Sequence, residues 1–334
     1  MAKNSKIAWC HNTWNPWIGC TKLVGGRVEG TLVENDDACF HCYAAELDTN
    51  RFSRTLGTGT KVKPVTHWGQ GAARHITGTW RDPRKWNKMT AEGQCQNCGI
   101  LFAPVVVEQL AKESERLHDC PKCKSSEIEY ERPRIFCGSL CDWADCEVSD
   151  EIRARAFDVI DACPNLDWML LSKRDQKAVE FLEARYGFKL PKHLWLGFSA
   201  GTQLAYDIRQ AAMDRLEASV KFFSFEPLFE DIKLRNGFNL AIYGGESGPG
   251  ARPQNVNFIR NGIAQCRNLG ISPFVKQLGA RPFVQNILQN TEGMDVAVTS
   301  IDLRFKDKKG GDMAEWAEDL RVREFPKIPV DSRG

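Results

Sequence analysis

Residues 167–199 read DWMLLSKRDQKAVEFLEARYGFKLPKHLWLGFS. A short apolar run, Asp167–Leu171, ends in the polar trio Ser172, Lys173 and Arg174. Gln176–Tyr186 then carries apolar residues at three-to-four spacing with charges between, which predicts a helix with one buried face. Leu194–Phe198 is a second apolar run, so the stretch is one strand–helix–strand unit. Working outward, the same grammar repeats. Strand-like runs fall at Arg134–Leu140, Val220–Phe225, Asn239–Tyr243 and Ser272–Val275, and helical stretches at Asp150–Ala162, Gln203–Leu216 and Asn257–Leu269. Such alternation builds a parallel sheet from βαβ units. Six strands, with one more near Cys20, predict an α/β fold, a full or partial (β/α) TIM-type barrel. No G-x-G-x-x-G or Walker loop is present, so a nucleotide-phosphate cradle is not indicated.

In such barrels chemistry sits just beyond the C-terminal strand ends. Polar residues fall there after every strand: Ser139 and Asp142, then Ser172, Lys173 and Arg174, then Ser199, then Ser224 and Glu226. Gly244, Gly245, Glu246 and Ser247 follow the fifth run, and Lys276 and Gln277 the sixth. Any one alone reads as a solvated loop residue, but together they are expected to converge on one cavity. Glu226, Lys173 and Lys276 are the candidate catalytic residues. The glycine-rich run Gly244–Gly250 permits either close backbone approach to a ligand or an ordinary flexible loop.

Composition narrows the class. The 334 residues carry 45 basic and 43 acidic side chains, a net charge of +2, with 42% apolar residues. These values exclude collagenous, low-complexity and wholly disordered chains. No apolar run reaches the about 20 residues of a membrane helix. Met1 to Cys10 has no apolar core or cleavage site, so a cytoplasmic protein is expected. The unusual number is 13 cysteines, which cluster in pairs and so point to metal or redox chemistry rather than to disulfides.

The cysteines sort into sets. Cys95 with Cys98 and Cys120 with Cys123 form two C-x-x-C hooks 21 residues apart, the spacing of a zinc ribbon, with four thiolates closing a structural Zn²⁺ site. Cys39 and Cys42 form a single hook, with Cys20 upstream. Three thiolates suit a [4Fe–4S] cluster with one open iron, whereas His41 as a fourth ligand would make a zinc site, and spacing alone leaves both open. Cys163 and Cys266 lie in helical stretches as small apolar residues. Cys10, Cys137, Cys141 and Cys146 follow no ligand pattern.

From Lys61 to Lys88 seven cations stand against one acid, Asp82, with tryptophans interleaved. Trp80, Arg81, Arg84, Lys85 and Trp86 are therefore the candidate nucleic-acid contacts, by phosphate neutralisation and base stacking. The competing reading is a solvated surface with structural tryptophans.

Thr13-Trp14-Asn15-Pro16 with Gly19-Cys20, followed by Cys39-x-x-Cys42-Tyr43-Ala44, resembles the motif of a phage and bacterial three-cysteine family of radical-SAM-like proteins. Trp80–Trp86, Pro133–Asp142, Leu171–Arg174, Trp195–Ser199, Phe223–Leu228, Gly244–Pro253, Phe274–Gly279 and Lys306–Arg323 agree with it as well. The resemblance implies a [4Fe–4S] cluster on Cys20, Cys39 and Cys42 with S-adenosylmethionine on its open iron. Cleavage of that cofactor would give a 5′-deoxyadenosyl radical, and the electron would come from a flavodoxin- or ferredoxin-type reductant. It also implies that Ser139 and Asp142 hold the methionyl part, that Ser199 and Glu226 face ribose or substrate, and that Gly244, Gly245, Glu246 and Ser247 support the cofactor. The chain departs from the usual C-x3-C-x2-C spacing, since 18 residues separate Cys20 from Cys39 and Val24–Asp36 extends the loop.

The expected organisation is an N-terminal barrel part with the cluster loop and basic aromatic segment over 1–92, a zinc-ribbon insertion over 93–129, the remaining barrel over 130–290 and a charged tail over 291–334, with a short helix at Met313–Leu320. The expected function is radical chemistry on a nucleic-acid base or nucleotide, in a host cytoplasm if phage-encoded. The alternatives are a nucleic-acid-binding or repair accessory protein with a structural cluster, and radical chemistry on a small molecule or peptide.

Overall fold

The computed structural model describes residues 5–23, 26–28, 31–33, 39, 41–52, 66–88, 90–95, 101–106, 128–289 and 295–326. The main sheet has seven strands, numbered here in chain order: β1 (Asn12–Trp14), β2 (Arg134–Cys137), β3 (Asp167–Ser172), β4 (Leu194–Ser199), β5 (Val220–Phe225), β6 (Leu240–Gly244) and β7 (Ser272–Gln277). Every neighbouring pair is parallel, and the order across the sheet is the order along the chain. The sheet curls into a half-barrel whose end strands, β1 and β7, do not meet. The helices are α1 (Tyr43–Leu47), α2 (Asp82–Trp86), α3 (Asp150–Asp161), α4 (Asp175–Tyr186), α5 (Gln203–Asp214) and α6 (Val256–Leu269).

Local chemistry explains the boundaries. Helix α3 begins where the Ser149 hydroxyl accepts from the Ile152 amide, α5 where Thr202 accepts from Ala205, and α6 where Asn255 accepts from Asn257. Strand β2 stops at Cys137, three residues before the expected end, because Gly138 takes φ +93° and turns the chain. The expected helix at Met313–Leu320 is instead two short 3₁₀ turns, Met313–Glu315 and Glu318–Leu320. Between them Trp316 goes extended, buries its ring and donates its indole N–H to the Gly310 carbonyl at 3.1 Å.

Both faces of the sheet are covered, which is why its strands read as nearly continuous apolar runs. Ile135, Leu170, Leu196, Phe223 and Tyr243 face outward into the helix layer. Phe136, Met169, Trp195, Phe222, Ile242 and Phe274 face inward. The ring of Phe222 fills the space in front of Gly197, where a Cβ would lie 2.2 Å from its Cζ. At the N-terminal strand ends the interior is plugged by Trp9 and Phe325, with the Arg134 guanidinium 3.7 Å above the Phe325 ring. The free edge of β7 is covered by the C-terminal segment, through Val275 N–H to Val322 O and Glu324 N–H to Pro273 O. At the C-terminal end, among the described residues, Ser199, Ser224, Glu226 and Lys276 line the half-barrel.

Outside this sheet, Pro282–Gln289 and Asp295–Asp302 form an antiparallel pair, and Thr90–Cys95 lies between Leu101–Val106 and Ile128–Glu131 in a small antiparallel sheet. Of the expected zinc ligands, Cys98, Cys120 and Cys123 lie outside the described residues, and only the backbone of Cys95 is described, at a strand end. Among the described residues no helix is long and apolar enough to cross a membrane.

Candidate active site

The floor of the open mouth is built by alternation. Inward-facing positions carry Phe222 and then Ser224 on β5, and Ile242 and then Gly244 on β6, so the lining turns polar at the top of each strand. Ser199 lies beside Ser224 in register. Just past β5, Glu226 folds back over the sheet. Its Oε1 meets Lys276 Nζ at 2.9 Å, and its Oε2 accepts from the Ser224 hydroxyl at 3.0 Å. Gly244 permits this, because a Cβ there would stand 2.5 Å from the carboxylate oxygen. The Glu226 side chain is 13% exposed and that of Lys276 25%, so the pair is shielded yet reachable. Two of the three catalytic candidates thus meet. Lys173 is placed differently: its amide donates to Asp142 and its carbonyl accepts from Arg209.

The rim is made by the loop after β2 and the segment after β1. Asn15 ties them together: its Oδ1 accepts the Leu140 amide at 2.6 Å and its Nδ2 donates to the Ser139 hydroxyl at 3.0 Å. The half-exposed Tyr43 reaches across and donates its hydroxyl to the Ser139 carbonyl at 2.7 Å. Arg153, fully buried on α3, clamps the loop from below by donating to the carbonyls of Trp143, Asp145 and Val148.

Cys20 sits within this rim, buried, and Gly19 forms a bridge with Cys141. Arg174, just past β3, donates from Nη1 to Cys20 Sγ at 3.4 Å and to Asp142 Oδ2 at 2.8 Å, and from Nη2 to the Thr21 carbonyl. Asp145 accepts the Thr21 amide and hydroxyl at 3.0 and 2.8 Å and Arg74 Nε at 2.8 Å. Burial pushes the Cys20 thiol far above its ordinary range, against the pull of Arg174. Burial works to depress the Arg174 guanidinium, yet Cys20, Asp142 and Asp145 leave it raised, so it stays charged. Cys39 lies within electrostatic reach of Cys20, and Cys42 caps the N-terminus of α1. Among the described residues no three His, Cys, Asp or Glu side chains are drawn together as a metal site.

The residues expected to hold a cofactor divide. Asp142 is fully engaged by Ser172, Arg174 and the amides of Ala144 and Lys173, so it positions the rim rather than offering a free carboxylate. Glu246 is likewise taken: Arg252 binds it through its amide at 2.8 Å, Nε at 3.1 Å and Nη2 at 2.8 Å. Burial works to raise the Glu246 carboxyl, but Arg252 holds it below the usual range. Gly245 is required by packing, since a Cβ would lie 2.5 Å from the Leu278 carbonyl oxygen. The His41 ring stands against Gly250, so the cysteine hook and the glycine-rich loop touch across the mouth. Ser139 lies in the rim and Ser199 beside Ser224, while Ser247 is half-buried in the loop after β6.

The candidate nucleic-acid contacts Trp80 to Trp86 are placed differently. Trp86 is 6% exposed and part of the core, and Trp80 packs edge-on against Trp14, so stacking on a base is closed to Trp86 as it stands. Arg81, Arg84 and Lys85 are exposed. Asn87, just beyond α2, bonds Asn165 ahead of β3, at the end of the sheet opposite the cysteines.

Asp48, His67 and Arg74 belong to the site although the sequence reading did not single them out for it. Asp48 accepts from the His67 amide and pairs with His67 Nδ1, both at 2.8 Å, while Gly69 N–H holds the Cys20 carbonyl. This strap ties the helix that follows Cys42 to the strand end that carries Cys20. The only sequence signal was a histidine and an arginine among glycines, and its partners lie 19 and 71 residues away in the chain.

Fold and site together define an α/β half-barrel with a thiol-bearing rim and a half-buried carboxylate–ammonium pair at the same end. Over residues 4–311 the chain matches the family described as "Protein of unknown function (DUF5131)", and it belongs to that family. No curated protein and no solved structure matches it.

Proposed function

We propose that this chain is a radical-S-adenosylmethionine enzyme on a partial (β/α) barrel, with a [4Fe–4S] cluster held by Cys20, Cys39 and Cys42 and a structural zinc ribbon on Cys95, Cys98, Cys120 and Cys123. The observation that carries the reading is the buried Cys20 thiol with a guanidinium nitrogen 3.4 Å from its sulfur, at the same C-terminal end of the half-barrel as the Glu226–Lys276 pair. The donor set is of the right kind for the cluster: three thiols from two segments, Cys20 buried and Cys39 and Cys42 half-buried. Such a cluster, loaded with S-adenosylmethionine and reduced by a flavodoxin- or ferredoxin-type donor, supplies a carbon radical for hydrogen abstraction.

The chain's own residues then have separable tasks. Ser139, Ser199 and Ser247, with the backbone of Gly244 and Gly245, are the groups left to hold the cofactor, because Asp142 and Glu246 are already bound. Tyr43 roofs the mouth and limits water. Glu226 and Lys276, an ion pair with Oε1 and Nζ 2.9 Å apart, are the groups placed to give or take a proton from a substrate resting on the floor. A nucleic acid or nucleotide as substrate is favoured by the exposed Arg81, Arg84 and Lys85, but their position requires the strand to wrap around the flank of the barrel to reach the mouth.

Anaerobic reconstitution tests this. The wild-type chain is expected to bind about four irons at the cysteine centre and to release 5′-deoxyadenosine with dithionite and S-adenosylmethionine. Cys42→Ala should lose the brown chromophore. Glu226→Gln should keep it and lose turnover of substrate. Full chromophore without any 5′-deoxyadenosine would favour a structural cluster in a binding protein instead. Salt-sensitive binding of single-stranded DNA or RNA that survives neutralisation of Arg81, Arg84 and Lys85 would remove the support those cations give to nucleic acid as substrate.

A further inference from the structure

We propose that Arg174 is the positioning residue of the cysteine centre, holding the Cys20 sulfur in place and setting how readily the centre accepts an electron; this rests on the iron–sulfur reading above. The argument is geometric. The guanidinium carries five N–H donors in a rigid fork, so a few contacts fix its whole plane. Here Nη1 donates to Asp142 Oδ2 at 2.8 Å, while Nη2 donates to the Thr21 carbonyl and stands 3.6 Å from Asp145 Oδ1. Those partners belong to the rim and to the residue after Cys20, and they leave Nη1 aimed at Cys20 Sγ at 3.4 Å. Its Nε is buried without a hydrogen-bond partner among the described residues, which costs stability.

The partners are themselves fixed. Asp142 is held by Ser172 and by the Ala144 and Lys173 amides, and Asp145 by Thr21 and Arg74. The cation therefore stands between two anions that are each held by further partners. A donor held against a ligand atom fixes that ligand's orientation, and hydrogen bonds to the sulfurs of iron–sulfur centres are among the features that set their potentials. With such a cluster bound, an electron from an external reductant would add negative charge to the sulfurs, and a positive donor 3.4 Å from Cys20 Sγ would favour that state.

The test uses the full chain, reconstituted anaerobically with iron and sulfide. Arg174→Lys keeps the positive charge but cannot bridge Asp142, Thr21 and Cys20 at once. Its expected signature is wild-type iron content, a midpoint potential shifted to more negative values in a dithionite titration followed by electron paramagnetic resonance, and iron loss to a chelator faster by about tenfold or more. Should that variant fail to fold, Arg174→Gln with Asp142→Asn removes one buried cation and one anion together and is read the same way. A folded variant with iron but with wild-type potential and wild-type iron release overturns the role of Arg174 and leaves the cluster standing. A wild-type chain that takes up no iron overturns both.

Discussion

Gly19→Ala is expected to disrupt the proposed cysteine centre while Gly69→Ala does not. Both glycines have φ +110°, a conformation that disfavours any side chain. They differ in space. A Cβ at Gly19 would stand 2.1 Å from the His67 carbonyl oxygen, whereas nothing lies within 4 Å of one at Gly69. The Gly19 substitution therefore combines backbone strain with overpacking, together about 2–6 kcal/mol, and the Gly69 substitution carries the strain alone, about 1–3 kcal/mol. The displacement would also fall on a residue that matters. Gly19 N–H holds the Leu140 carbonyl, and moving it shifts the neighbouring Cys20 away from Arg174. Urea denaturation and iron content per chain, measured side by side, check this. Equal stability and equal iron in the two variants would mean that the His67 segment yields freely.

The second large effect is expected at Asp145, whose side chain is fully buried and pairs with Arg74 and Arg174. Asp145→Ala leaves two buried guanidinium groups short of an anion, a loss of about 3–5 kcal/mol. Asp145→Asn keeps the shape and isolates the charge. Burial works to raise the Asp145 carboxyl, but Arg174 and Arg74 hold it below its ordinary value of 3.8. The folded value is thus the lower one, so this carboxylate stabilises the fold at pH values above the unfolded value, and that contribution disappears as pH falls through the folded value. Wild-type stability is expected to fall more steeply than that of Asp145→Asn between about pH 5 and the acid limit of folding. Parallel acid slopes in the two proteins would show that the arginines are compensated elsewhere.

Much of the architecture was readable residue by residue. Each strand is buried on both faces, so the alternation of Phe222, Phe223, Ser224 and Phe225 leaves an apolar run with a polar end, and a linear scan detects it. The helix starts were readable for the same local reason: Ser149, Thr202 and Asn255 satisfy amides only two or three residues away. The convergence of Glu226 and Lys276 also follows, once strand order is chain order, from their equivalent places past the ends of their strands. The basic aromatic segment was less legible, because a tryptophan reads alike whether it packs in a core, as Trp86 does, or waits for a base.

The 33-residue stretch from Asp167 to Ser199 determines, from apolar periodicity alone, that the chain folds as strand, helix and parallel strand. It does not determine which of Ser172, Lys173 and Arg174 matters. That was decided in three dimensions, where Arg174 meets Cys20 across 154 residues of chain and Lys173 meets Asp142 only through its backbone. The reason is physical. Periodicity records which face of an element is dry, a property each segment carries by itself. The partner of a buried charge comes from whichever loops the folded sheet brings to the same rim.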